Sequence, residues 1–426
     1  MAEDKSIAGK KSYLTFATGR WTPHALVFLG LNCLYFLPVL IVFFFNYSVD
    51  EKVTLADLDT STVIKTSLVY FVGVLSFLLG SKDGSGYNGL DGIKNVRVFR
   101  LFELSPAFWV VSIAIAVCFL ASKVLLIPLG VYSEYAFDTE NMGSSVWSFS
   151  MFCSESILLL SILALFSRSR HNVRWFLVFS LLNAIDLLHG TRIFFMIAGL
   201  AFCFYGFVRR KLNWRLLLAI GVGVVAVGYA VFLTRSNALV DTGSFSFVRL
   251  ISPIMFESIF SQLALFELAR NPHVWNALGS PVNLVLDAVY FSAPRFMLPG
   301  KDQMLFLDRF NDLSPLGAFS GYAQGLIYLG FLFPLFYFVL GRIASWLFRQ
   351  TRSSSLWTIA YVYFICDFLF RIMRDGYIIP IKMLIDGLII LATIKLFSPG
   401  TSPSDSIASR KSTNPGFIPS QGIAHE

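Results

Sequence analysis

Residues 25–46, ALVFLGLNCLYFLPVLIVFFFN, contain no Asp, Glu, Lys, Arg or His. A helix of about 20 apolar residues rises roughly 30 Å, the thickness of a bilayer's hydrocarbon core. Runs of this kind recur along the chain with short polar gaps between them. In lipid each backbone N–H and C=O must be satisfied inside its own segment, so the spans are expected as helices and no strands are expected. Composition agrees: 56% of residues are hydrophobic and 14% charged, against about 25% charged in soluble domains. The reading is an all-α polytopic membrane protein without a sizeable water-soluble domain.

About ten transmembrane helices are expected, at 25–46, 61–80, 107–129, 145–167, 173–188, 193–208, 215–234, 318–341, 356–371 and 378–397. The organisation is then 1–24, a cytoplasmic N-terminus; 25–234, seven helices; 235–317, one large extracytoplasmic loop; 318–397, three helices; and 398–426, a Ser/Pro-rich tail expected to be disordered and cytoplasmic. The first apolar run starts late and lacks a small-residue cleavage site, which reads as a retained anchor. The ranges 173–188 and 193–208 nearly touch, as a tight helical hairpin would.

The net charge of +8 is a topology signal and gives no reason to expect nucleic acid. Short loops alternate between basic (Arg168, Arg170, Arg174; Arg209, Arg210, Lys211, Arg215) and acidic (Asp50, Glu51, Asp57, Asp59; Glu134, Asp138, Glu140). Positive loops stay inside, so both ends are expected in the cytoplasm and the long loop outside. The five cysteines all fall in apolar runs, which predicts neither a disulfide framework nor a zinc site. A Gly84-x-Gly86-x-x-Gly89 match lacks a strand before it and a helix after it, so no dinucleotide site is expected. His24, His171, His273 and His425 have no partners at ligand spacing.

Ionisable side chains inside a span are expensive and need a reason. Lys123, Asp186, Arg371, Arg374, Asp375, Lys382 and Asp386 fall in the outer part of their expected spans, with Glu155 and Asp367 deeper. The inner halves are nearly bare. This polarity predicts a cavity open to the outside. Snorkelling to the headgroups is the plainer reading for Lys123, Arg374 and Lys382, and it suits the short acids less well.

The long connection carries residues 253–269, PIMFESIFSQLALFELA, with Phe256, Ile259, Phe260, Leu263 and Phe266 on one face and Glu257, Ser261 and Gln262 elsewhere. That spacing predicts an amphipathic helix, either lying on the outer interface or packed on the bundle as a lid. Arg192, Arg249 and Arg295 punctuate the outer face. Guanidinium forks match phosphate oxygens and keep their charge.

The segment Ala293-Pro294-Arg295-Phe296-Met297-Leu298-Pro299-Gly300-Lys301 resembles the Pro-Arg-x-x-x-Pro-x-Lys step of the O-antigen polymerase (oligosaccharide repeat-unit polymerase) family. Gly321 to Gly330 is similar to that family's Gly-rich re-entry, and His189-Gly190-Thr191-Arg192 to its Gly-Ser/Thr-Arg turn. One departure is Gln324, where relatives often carry an acid, so no catalytic acid is assigned there.

The resemblance implies a membrane glycosyltransferase that polymerises polyprenyl-diphosphate-linked repeat units at the outer face of a bacterial inner membrane. The reaction is expected to need no metal and no cofactor. Its partners would be an undecaprenyl-diphosphate-linked glycan, the lipid bilayer, a chain-length regulator and a repeat-unit flippase. Catalytic candidates are Arg192, Arg249 and Arg295, which would stabilise the diphosphate leaving group, and His189 and Asp186 as bases. Asp302 is a further base candidate. Lys301, Asp302, Arg371 and Lys382 are candidate substrate-binding residues. The rivals are an O-antigen ligase and a transporter or flippase for lipid-linked sugars.

Overall fold

The computed structural model describes residues 22–45, 59–82, 106–125, 144–166, 171–188, 193–208, 223, 247–271, 278–293, 297–298, 300–313, 319–351 and 355–397, with some side chains inside these ranges left aside. The expected span at 215–234 apart from Gly223, the basic and acidic loops apart from Arg174 and Asp59, and the C-terminal tail lie outside them.

Among the described residues every regular element is helical. Helices α1 (Pro23–Phe45), α2 (Thr60–Gly80), α3 (Pro106–Leu125), α4 (Ser144–Leu165), α5 (Asn172–Leu188) and α6 (Ile193–Val208) begin and end within about four residues of the ranges set by apolar run length. Pro23–Ile41, Thr60–Gly80 and the stretch Gly321–Gln350 are long and apolar enough to cross a membrane. α2 starts on a conventional cap: the Asp59 carboxylate accepts the Thr62 N–H at 3.0 Å.

Contacts fix which helix ends lie together. His24 at the start of α1 bonds Tyr361 (3.1 Å) and Ser345 (3.2 Å), and Ser345 donates to the Ser81 carbonyl just past α2. Trp109 near the start of α3 meets Trp175 near the start of α5, their ring centres 4.5 Å apart. Asn172 at the start of α5 donates to the Leu165 carbonyl at the end of α4 and to the Tyr205 hydroxyl near the end of α6. Successive helices therefore run up and down. His24 is a buried pin at this first end of the bundle.

α7 (Phe247–Arg270) covers the predicted amphipathic segment, but it does not lie flat on a surface. It packs against α1 and α2 and buries Ser258, Ser261 and Gln262 together with Ile259, Leu265 and Phe266. The hydroxyls have acceptors there: Ser258 donates to the Leu34 carbonyl of α1 and Ser261 to the Ser258 carbonyl. The Gln262 amide donates to the Ser261 hydroxyl, and the backbone of Ser320 donates to that of Ser261. Among the described residues the helix is packed on the bundle. α8 (Pro281–Ser292) and two 3₁₀ segments, Lys301–Met304 and Phe306–Leu313, complete the described part of the connection.

The expected span at 318–341 is two helices. α9 (Gly321–Leu329) ends at Gly330, where φ is +52°, and α10 (Phe333–Gln350) follows after one 3₁₀ turn. A Cβ at Gly325 would lie 3.4 Å from that of Phe333, although eight residues of straight helix span about 12 Å. Tyr322 and Tyr337 stack with ring centres 4.8 Å apart. The chain folds back on itself at the glycine, which has no Cβ to oppose a positive φ.

α11 (Ser355–Tyr363) runs through a π-helical segment, Phe364–Phe368, into α12 (Leu369–Asp375); α13 (Ile378–Phe397) follows a turn at Gly376. Together they extend the expected range 356–371 by a turn.

Candidate functional site

The ionisable side chains buried among α3, α4, α5 and α12 lie away from the His24 end in two neighbouring bonded groups, and α13 adds a partly exposed pair. Lys123 of α3 meets Asp186 of α5 at 2.5 Å, and Ser154 of α4 donates to the same carboxylate oxygen at 3.2 Å. The next residue on α4, Glu155, faces the other way. Its Oε2 accepts from Arg371 Nη2 at 2.9 Å and its Oε1 from the Tyr363 hydroxyl. Arg371 Nε donates to Asp367 Oδ1 at 2.6 Å, and Nη1 lies 3.8 Å from Asp375. Arg374 pairs with Asp375 at 2.8 Å, and Lys382 with Asp386 at 2.5 Å. Arg371 also stands over the Phe194 ring at 5.1 Å.

Local structure explains the convergence. The π-helical turn carries Asp367, and π segments re-aim side chains by one residue. Asp367, Arg371 and Asp375 then repeat every four residues on one face. Two adjacent residues of α4, Ser154 and Glu155, bridge the α3–α5 pair to the α12 cluster.

Four cations face five carboxylates in this network. Arg371, expected to bind substrate, is 1% exposed and held by carboxylates. Lys382 is held by Asp386, and Asp186 by Lys123 and Ser154. With their charges compensated locally, these groups tie α3, α4, α5 and α12 together and have little attraction for an incoming diphosphate. Two carboxylate oxygens, Asp186 Oδ2 and Asp367 Oδ2, and both amide atoms of Asn183 are buried without a protein partner. Such atoms cost about 1–3 kcal/mol each unless water or a ligand reaches them.

Lys301 is also engaged. Its Nζ donates to the carbonyls of Phe291 (2.8 Å) and Ala293, capping the C-terminal end of α8, where a cation is favoured. Gln324 serves the fold, because its Oε1 accepts the Tyr377 N–H at 2.6 Å across the Gly376 turn.

His189, Arg192 and Arg295 lie outside the described residues, as do the turns that carry them. Arg249 and Asp302 sit in described helical segments, but their side chains do not belong to the described set. The structure therefore joins Asp186 to the buried network, gives Arg371, Lys382 and Lys301 partners of their own, and leaves the arginine trio unplaced.

One constellation escaped the sequence reading. Asp287 of α8, 1% exposed, accepts the N–H groups of Phe306 (2.8 Å) and Leu307 (3.0 Å) and the Tyr328 hydroxyl (2.5 Å). It ties α8, the 3₁₀ turn and α9 together. The signal was present: Asp287 is the one acid in the apolar helix PVNLVLDAVYFS.

No known protein family, characterised protein or solved structure matches the chain.

Proposed function

We propose that the chain is a membrane glycosyltransferase that polymerises polyprenyl-diphosphate-linked repeat units. The observation that carries the reading is the segregation of buried charge along the bundle: toward the His24 end, Lys82, Arg174, Arg342 and Arg349 are exposed. Among the described residues the buried ion pairs lie away from the His24 end, where hydrogen bonds among His24, Ser345 and Tyr361 close the helices. A transporter that moves a charged headgroup across the bilayer needs polar groups along the whole path, and the charges here stop partway.

The orientation that fits places the charged end outside, with α7 and α8 in an extracytoplasmic connection. Because Arg371, Lys382 and Lys301 are engaged, recognition of the diphosphate falls to Arg192, Arg249 and Arg295. Fixed guanidinium groups favour the charge that grows on the leaving diphosphate as the glycosidic bond breaks. Asp186 serves better as a partner of Lys123 than as a base, so His189 and Asp302 remain for the acceptor hydroxyl.

The test is deletion of the gene in its host, with the surface polysaccharide run on a gel. A ladder that collapses to core plus one repeat unit supports polymerisation. Bare core with lipid-linked polymer accumulating indicates the ligase, and an unchanged ladder rules out both.

A further inference from the structure

A cavity of about 250 Å³ opens between α8 and the 3₁₀ segments that follow it. That is just under the range typical of sites for drug-sized ligands, about 300–1,000 Å³, and on the scale of a sugar ring. Its polar lining comes from Asn283, Asp287, Tyr290, Asp308 and Arg309, and its apolar lining includes Leu286 and Met304. The geometry points to this cavity as a binding site for a neutral pyranose ring.

The walls are fixed before any ligand arrives. Asp287 holds the Phe306–Leu307 turn against α8 through two N–H bonds. The Asn283 amide is oriented by the Ser280 N–H (2.9 Å) and hydroxyl (2.8 Å), both donating to its Oδ1. The Arg309 guanidinium stands over the Phe306 ring at 5.3 Å. Pre-organised walls reduce the cost of ordering on binding.

The chemistry selects the ligand class. A pyranose offers adjacent hydroxyls, each both donor and acceptor, and a C–H face. An amide, a carboxylate and a guanidinium supply planar groups that match pairs of hydroxyls. Tyr290 supplies an aromatic face with a polar tip. Charge argues against a phosphate: Asp287 and Asp308 outnumber Arg309, so the cavity disfavours an anion.

Beside it, Val282, Val285 and Val289 form an exposed apolar stripe on α8, and Leu286 joins that stripe to the cavity. A sugar carried on a lipid would find its ring site and an apolar track side by side. Assigning the pyranose to a lipid-linked glycan rests on the glycosyltransferase reading; the ring site itself does not.

Saturation-transfer NMR tests the site, with the full chain in nanodiscs free of glycoside detergents. The probes are glucose, galactose, mannose, N-acetylglucosamine, rhamnose and glucose 1-phosphate. We expect transfer to at least one neutral sugar, lost in Tyr290→Ala and in Arg309→Met, kept in Tyr290→Phe, and kept in Leu181→Ala on the exposed face of α5. Arg309 is exposed, so its variant should melt like the wild type. Transfer to no neutral sugar, survival of the signal in both variants, or a stronger signal from glucose 1-phosphate than from glucose would overturn the site. A sugar signal alongside an unchanged ladder on gene deletion keeps the site and rejects the polymerase. A collapsed ladder without a sugar signal does the reverse.

Discussion

Arg371 of α12 and Glu155 of α4, 216 residues apart in sequence, meet at 2.9 Å with both side chains almost wholly buried. Around them Asp367, Asp375 and Tyr363 complete a cluster in which carboxylates outnumber guanidinium groups. Arg371 is the one fully buried cation of this cluster, Arg374 lying half-exposed beside Asp375. Removing Arg371 leaves the buried Glu155 and Asp367 uncompensated, at a cost of about 3–5 kcal/mol. Arg371→Met should therefore abolish or strongly reduce the folded monodisperse fraction in detergent. Glu155→Gln removes one anion from an anionic cluster and should cost less than half as much. Thermal melting of the two variants checks the order, and equal losses would contradict the account.

Close approach of α2 and α10 gives a second test. A Cβ at Gly80 would lie 2.1 Å from the Phe338 carbonyl oxygen, and one at Gly341 would lie 2.3 Å from that of Phe77. Backbone cannot retreat as a flexible side chain does, and small residues let membrane helices pack closely. Gly341→Ala is expected to destabilise by about 1–3 kcal/mol, as overpacking does. At Gly199, where a Cβ would meet nothing within 4 Å, the same substitution should leave melting unchanged.

The turn at Gly376 joins conformation to contact. Its φ is +75°, and a Cβ there would lie 2.2 Å from Gln324 Cδ. Gly376→Ala should cost about 1–3 kcal/mol from backbone strain alone, with displacement of Gln324 added. Pairing it with Gln324→Ala makes room but leaves the Tyr377 N–H unbonded, so melting should recover only in part. Full recovery would show that the Gln324 bond contributes nothing.

Lys301 and Asp287 both hold the end of α8. Losing the Lys301 cap in Lys301→Met should cost about 1 kcal/mol. Asp287→Ala removes the acceptor of three hydrogen bonds and strands buried donors, so it should cost more, about 2–4 kcal/mol. Proteolysis between residues 293 and 320 should accelerate in the same order. Equal protection in the two variants would contradict the assignment of Asp287 as the main tie.

Arg192, Arg249 and Arg295 carry the functional reading. Alanine at each should shorten or abolish the polysaccharide ladder while leaving the protein's amount in the membrane unchanged. A ladder of normal length and yield in all three variants would reject their role in diphosphate recognition.

Helix positions were legible from the sequence because they depend on local quantities. The length of an apolar run and the polarity of its flanks place α1 to α6 without reference to the rest of the chain. The expense of an intramembrane charge likewise marked Asp186, Glu155, Asp367 and Arg371 before any contact was known.

What the sequence could not give is which of these residues meet. Lys123 with Asp186 and Glu155 with Arg371 depend on how each helix is rotated and which neighbours it touches, and those are decided by packing over hundreds of residues. The same holds for the buried Ser258 of α7, which looks solvent-facing until the Leu34 carbonyl supplies a partner. It holds for α9 and α10, which read as one apolar run until Gly330 adopts a positive φ. It holds for Asp287, an apparent misfit in an apolar helix until the 3₁₀ turn brings two N–H groups to it. Apolar periodicity gives the cost of putting a residue in lipid, and only tertiary structure supplies the partner that offsets that cost.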